Sequence, residues 1–168
     1  LGGLLNFRSQ ALAPAVTGLD ELAVITATEI NALQTTGVDA NGERGTDLFD
    51  ATVTATGAAG FTLLQSDPLK VSAAGLLKIT PGALNSGDAT LNYGDIAAGV
   101  ATPAFTISFA AETGYEINGA AVAVDAKRGF TFEGINYTFT GTPADGDSFT
   151  VGLNASALGD NRNMLLMA

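Results

Sequence analysis

Apolar residues near the start of the chain recur at helical spacing. Leu12, Val16, Leu19, Ala23, Thr26, Ile30 and Leu33 follow one another at alternating steps of four and three, which is a heptad seam along one side of a helix. Leu5 extends the seam by one repeat, with Ser9 at the intermediate position. The pattern predicts a helix from near Leu4 to about Gln34, roughly 45 Å long and too long for the core of a small globule. Pro14 and Gly18 interrupt it. A proline removes a backbone donor and crowds the preceding turn, so a bend is expected just before Pro14. Gly37 is the expected C-cap, and the Gly-, Asp- and Asn-rich stretch to Phe49 reads as an ordered, solvent-facing turn.

From Ala51 onward the period changes to two. Phe105, Ile107 and Phe109 alternate with Thr106 and Ser108; Ile135, Tyr137 and Phe139 alternate with Asn136 and Thr138; Phe149, Val151 and Leu153 alternate with Thr150 and Gly152. Such alternation predicts half-buried strands. Turn signals separate them at Asn118-Gly119, Lys127-Arg128-Gly129, Glu133-Gly134 and Gly141-Thr142-Pro143-Ala144-Asp145-Gly146-Asp147, so an antiparallel β domain of sandwich or barrel type is expected. Shorter strand candidates at Leu76 to Thr80 and Ala89 to Tyr93 belong either to the same sheet or to a small inserted subdomain at 66–100. Asp160 or Asn161 is placed to cap a second helix beginning near Arg162.

The predicted fold class is α+β, mainly β: a long N-terminal helix and a truncated C-terminal helix flank an antiparallel β domain. Residues 1–50 with 154–168 form the helical arm, and 51–153 the outer β domain. The chain opens at Leu1 without an initiator methionine and stops in the apolar run Met164-Leu165-Leu166-Met167-Ala168, and so reads as a fragment of a longer polypeptide.

Composition narrows the function. Of 168 residues, 46% are apolar, ample for a core. With 17 acidic against 7 basic residues the net charge is −10, the wrong sign for phosphate backbones and anionic headgroups; nucleic acid and membrane are not expected partners. No unbroken apolar run approaches the roughly 20 residues of a bilayer span.

Histidine and cysteine are both absent, which removes the commonest general base, the commonest metal ligands and any thiolate nucleophile. A Ser/Lys dyad would have to use Lys70, Lys78 or Lys127, none in a recognisable motif. Glu112 with Glu116 and Asp145 with Asp147 are the candidate carboxylate pairs, and the Asp pair sits in a Gly/Pro turn where Asp caps local backbone. Asp39, Asn41 and Glu43 fail as a calcium loop, because glycine falls at the fourth place rather than the sixth and Asp50 replaces the bidentate Glu at the twelfth. No catalytic residue, metal site or cofactor is expected, and the chain does not read as an enzyme.

Two ordered blocks resemble a known family. Leu1-Gly2-Gly3-Leu4-Leu5-Asn6-Phe7-Arg8, then Glu29-Ile30-Asn31-Ala32, then Gly37-Val38-Asp39-Ala40-Asn41-Gly42-Glu43-Arg44-Gly45 resemble the FlgK family of flagellar hook-associated proteins. Near the end, Tyr115-Glu116-Ile117, Phe132-Glu133-Gly134-Ile135, the turn at 141–147 with Ser148-Phe149-Thr150-Val151, and Asp160-Asn161-Arg162-Asn163 resemble the same family's outer β domain returning to its helical core. Residues 51 to about 104 match poorly. The resemblance implies a secreted, extracellular component of the bacterial flagellum, exported by the flagellar secretion apparatus and acting as a mechanical adaptor at the hook–filament junction. Its implied partners are other copies of itself, the hook protein and the second junction protein. On its own the chain is expected to be monomeric, since the family's polymerising ends are missing from it. Leu5, Leu12, Val16, Leu19, Ala23, Ile30 and Leu33 are the candidate helix-packing interface. The rival readings are a β-sandwich adhesin or glycan-binding module on a helical stalk, and a hydrolase using Asp or Glu.

Overall fold

The computed structural model describes residues 2–157 and 159–168; Leu1, the first residue of the opening block, lies outside them. The N-terminal helix runs unbroken over Gly2–Gln34. It is α-helical over Gly2–Phe7 and Ala13–Gln34, with a π-helical turn at Arg8–Leu12 between them. Where the sequence predicts a bend, the chain widens instead. The Ala13 N–H donates to the Arg8 carbonyl, five residues back, while Phe7 (φ −58°, ψ −45°) and Ala13 (φ −63°, ψ −45°) both stay helical. The wider turn accommodates the missing donor and the ring of Pro14 without ending the helix. A π turn holds one residue more than an α turn, so everything upstream is rotated by about 100° around the axis. Leu4, rather than Leu5, therefore falls in line with Leu12, Val16 and Leu19.

Beyond Gln34 the chain enters β1 (Gly37–Val38), which pairs antiparallel with β2 (Ala74–Gly75). The following turn is ordered, as expected, but Asp39 at its base is buried rather than solvent-facing. Its carboxylate accepts the N–H groups of Asn41 (2.8 Å) and Glu43 (3.0 Å). Residues 48–64 then form a strap: Phe49 bridges to Leu63, and two short helical turns, Val53–Thr56 and Gly57–Gly60, lie between. The sequence groups residues from 51 onward with the β region. The structure places this strap on the helix instead, because Val53 packs into the surface of Ala23 and Ala27.

The remaining strands build two facing sheets: β3 (Leu77–Pro81), β4 (Thr90–Tyr93), β5 (Phe105–Ala110), β6 (Gly114–Ile117), β7 (Ala120–Ala121), β8 (Gly129–Phe132), β9 (Ile135–Thr140) and β10 (Ser148–Leu153). One sheet has the order β3-β10-β5-β6-β7, the other β4-β9-β8, and every pairing is antiparallel. Rings cross between them: Phe105 meets Tyr137 at 5.3 Å, Tyr115 stacks on Phe139 at 4.7 Å, and Phe139 meets Phe149 at 5.7 Å. This is a β-sandwich, with no closed barrel among the described residues. Segment 66–100 is no separate body, since β3 is the edge of one sheet and β4 the edge of the other.

Alternation placed Phe105, Ile107, Ile135, Tyr137, Phe139, Phe149 and Val151 in the core, and there they lie. Leu153, the last residue of β10, is exposed. Glu133-Gly134 joins β8 to β9 with both residues at positive φ (47° and 79°), and Asn118-Gly119 joins β6 to β7 likewise (50° and 83°). These are the primed turns whose twist matches antiparallel strands. A second helix, Arg162–Met167, follows the sandwich, with the Asp160 carboxylate accepting the Arg162 N–H at 3.0 Å.

Candidate assembly surface

The long helix shows two faces. Toward the body, Ala23, Ala27 and Gln34 are buried, and small residues there allow the strap to come close. Asn31 fixes the strap: its amide donates to the Phe49 carbonyl at 2.8 Å and its carbonyl accepts the N–H groups of Leu48 and Phe49, each at 2.9 Å. Asp20 accepts the Ala58 N–H at 2.9 Å. Away from the body, Leu4, Leu5, Phe7, Leu12, Val16, Leu19, Leu22 and Ile25 are all exposed, Leu19 by 59%.

The structure therefore divides the predicted seam. Leu5, Leu12, Val16 and Leu19 are free, Ala23 is covered by Val53, and Ile30 and Leu33 are half-buried near the helix end. Heptad spacing missed Leu4, Leu22 and Ile25, which widen the apolar sector; a broader helical wheel would have found them. By length and composition this helix is also long and apolar enough to cross a membrane, although its apolar residues form no unbroken run of that length. Asp20, Asn31 and Gln34 nevertheless bind its C-terminal half to the rest of the chain.

Where the arm meets the sandwich, polar side chains join the apolar packing of Val38, Ala74 and Leu76. Gln34 donates to the Lys70 carbonyl (2.8 Å) and accepts the Ser72 N–H (3.2 Å). Asn163 donates to the carbonyls of Leu33 (3.0 Å) and Ser72 (2.7 Å) and accepts the Thr36 hydroxyl (3.1 Å). Arg162 forks onto Asp160, reaches the Leu77 carbonyl at 3.0 Å and lies 5.4 Å over the Tyr93 ring. The guanidinium holds the Asp160 carboxyl below its ordinary range despite partial burial. Arg44 bonds the Thr35 carbonyl at 2.7 Å and also the Val100 carbonyl, placing a cation at the negative end of the long helix. Beside this junction a cleft of about 460 Å³ is lined by Leu33, Leu76, Tyr93, Ile96 and Leu166, among others.

Of the carboxylates singled out from the sequence, Asp147, Asp145 and Glu116 accept local hydrogen bonds, and Glu112 is exposed. Asp147 is buried and accepts the N–H groups of Ser86 (2.8 Å), Ala144 (2.9 Å) and Gly87 (3.1 Å). The Ala144 and Ser86 bonds hold its pKa below the usual carboxylate range. Asp145 accepts the Ala111 N–H, and Glu116 the Thr113 hydroxyl. Lys70 is engaged by Glu43 at 2.6 Å and Asp39 at 3.2 Å. For Asp39, burial pushes the pKa up, but the N–H groups of Glu43 and Asn41 with the Lys70 ammonium outweigh it and the net shift is downward. No cluster of three metal-ligating side chains occurs among the described residues.

Comparison with known proteins agrees with this arrangement. The flagellar hook-associated protein FlgK helical domain matches residues 1–49. Flagellar hook-associated protein 1 of Escherichia coli (strain K12) is 32% identical over 163 residues, covering 90% of this chain and 24% of that protein. Its counterpart in Salmonella typhimurium is 49% identical over 49 residues, 29% of this chain and 9% of the relative. The flagellar hook junction protein FlgK from Burkholderia pseudomallei shares the fold, with a TM-score of 0.76 at 22% identity, covering 99% of this chain and 52% of that one. This chain thus spans about a quarter of the length of the Escherichia coli relative. Helical domain, inserted sandwich and sequence likeness together place the chain in the FlgK family of flagellar hook-associated proteins.

Proposed function

We propose that this chain belongs to a structural, non-enzymatic subunit of the bacterial flagellar hook–filament junction, a mechanical adaptor whose helical arm packs on other helices while its β-sandwich faces outward. One observation carries the reading: the long helix exposes a row of large apolar side chains that the body of the chain does not cover. Buried apolar area stabilises association in proportion to its extent, and contiguous exposed patches of this kind mark interaction surfaces. The arm comprises the helix, its strap at 48–64 and the terminal helix; the sandwich spans 77–153. The partners are other copies of the same protein, the hook protein and the second junction protein, met outside the cell after export by the flagellar secretion apparatus. Alone, the chain is a monomer.

Leu19→Asp in the full-length protein tests the reading. Leu19 is exposed within this chain, so folding should be unaffected, whereas a carboxylate buried at a packed interface is heavily penalised. The expected result is a stable protein, normally exported, in a non-motile strain lacking assembled junctions; normal motility would count against the seam. Saturable glycan binding by the isolated chain would instead favour an adhesin.

A further inference from the structure

We propose that Gln34 and Asn163 form a latch that fixes the orientation of the sandwich on the helical arm. Both amides are buried, Asn163 to 2% exposure. They close on the same residue through its two flanking peptides: Gln34 accepts the Ser72 N–H, and Asn163 donates to the Ser72 carbonyl. Ser72 leads directly into β2, two residues before the sheet that carries the chain from arm to sandwich. Asn163 also donates to the Leu33 carbonyl and accepts from Thr36. A single side chain from the terminal helix thus meets the end of the long helix and the approach to the sandwich. The Leu33 carbonyl, one of the last of the helix, also accepts the Thr36 N–H at 3.0 Å and the Thr36 hydroxyl at 2.7 Å, so Asn163 joins a helix end already closed by the next residues.

The seat of the latch is specific. Gly37 in β1 lies directly beneath the Asn163 amide, and a Cβ at position 37 would overlap the amide nitrogen and also crowd the Ala74 carbonyl. Gly37 is therefore required by space. Around the latch lie further ties: Arg162, reaching Leu77, has a half-exposed side chain, part-buried Arg44 spans Thr35 and Val100 at the other flank, and buried Asn154 donates to the Gly75 carbonyl and to Asp160. Hydrogen bonds shielded from water hold geometry more firmly than exposed ones, so the buried amides set the angle while the flanking arginines limit how far it can open. Such a latch serves any role in which force on the arm must reach the sandwich without a loose joint, and it stands whether or not the chain works at the flagellar junction.

The test uses Asn163→Ala and, independently, Gly37→Ala, which keeps Asn163 in the chain but forces its amide out of its seat. The chain contains no cysteine, so spin labels can be placed at Glu29→Cys on the anchored part of the arm and at Leu84→Cys, 94% exposed in the β3–β4 loop. The unmodified latch should give one narrow distance distribution, roughly doubled in width by either latch variant. Hydrogen exchange at the Ser72 and Met164 amides, which donate to Gln34 and Ala73 across the junction, should accelerate roughly tenfold or more. The Phe109 amide, bonded to the Asp147 carbonyl within the sandwich, should not change. Unchanged width in both variants would overturn the latch, and so would uniform loss of protection through the sandwich, which would make these residues part of the general core.

Discussion

Asp147 shows how one side chain organises the far end of the sandwich. Its carboxylate gathers backbone N–H groups from the β3–β4 loop and from the turn before β10, while Asn85 exchanges two bonds with the Ser148 backbone beside it. Asp147 and Asp160 both have folded pKa values below the ordinary one. Their contribution to stability is therefore complete above the unfolded carboxylate pKa of about 3.9 and is lost as pH falls through the lower folded values. The melting temperature should stay level from neutral pH down to about pH 4–5 and drop below it. Asp147→Asn should lower it at neutral pH and flatten part of the acid drop, as scanning calorimetry across pH would show. Both residues were visible in the sequence as turn and cap residues, and the turn reading of Asp147 was sound. The distant partners Ser86 and Gly87 were not, because no local pattern records which loops meet. Asn31 carried a clue, since asparagine is a poor helix-interior residue unless its side chain has work elsewhere.

Among the elements, the strands were the most legible, because a strict alternation such as Ile135, Tyr137 and Phe139 has one buried face whatever surrounds it. Phe139→Ala should cost about 3–5 kcal/mol by equilibrium denaturation, as truncation of a ring packed on Tyr115, Phe130 and Phe149 requires. The helix was legible in extent but not in phase. Pro14 produces a π turn, and the residue it adds rotates Leu4 and Leu5 relative to the heptad. With Pro14→Ala the helix should become α-helical throughout, bringing Leu5 back into line; a crystal structure of the variant still showing a π turn at 8–12 would refute that cause. The strap's place was not legible because Ala23 reads as a seam residue and Ala27 carries no signal, whereas their small size is what admits Val53. Asn31→Ala removes all three strap bonds and should destabilise the strap by about 1–3 kcal/mol, seen as selective exchange at Leu48 and Phe49.

As a whole molecule the chain joins a well-packed sandwich to an arm that is half uncovered. Residues 2–19 contribute no buried side chain, so in the isolated chain their amides should exchange far faster than those of residues 23–34, and assembly should slow them. Equal protection along the helix would mean that the free half is stable without a partner. The class of fold, the antiparallel strands, the primed turns and the lack of histidine and cysteine chemistry were decided by the sequence, since each depends on residue type and local spacing. Tertiary structure alone decided which helix face stays open, that 77–93 supplies an edge strand to each sheet, and that Gln34 and Asn163 meet at Ser72. Those outcomes depend on residues as many as 130 positions apart, as Leu33 and Asn163 are, and periodicity carries no information at that range. Local pattern sets what each segment can bury; the packing of distant segments sets what is left exposed.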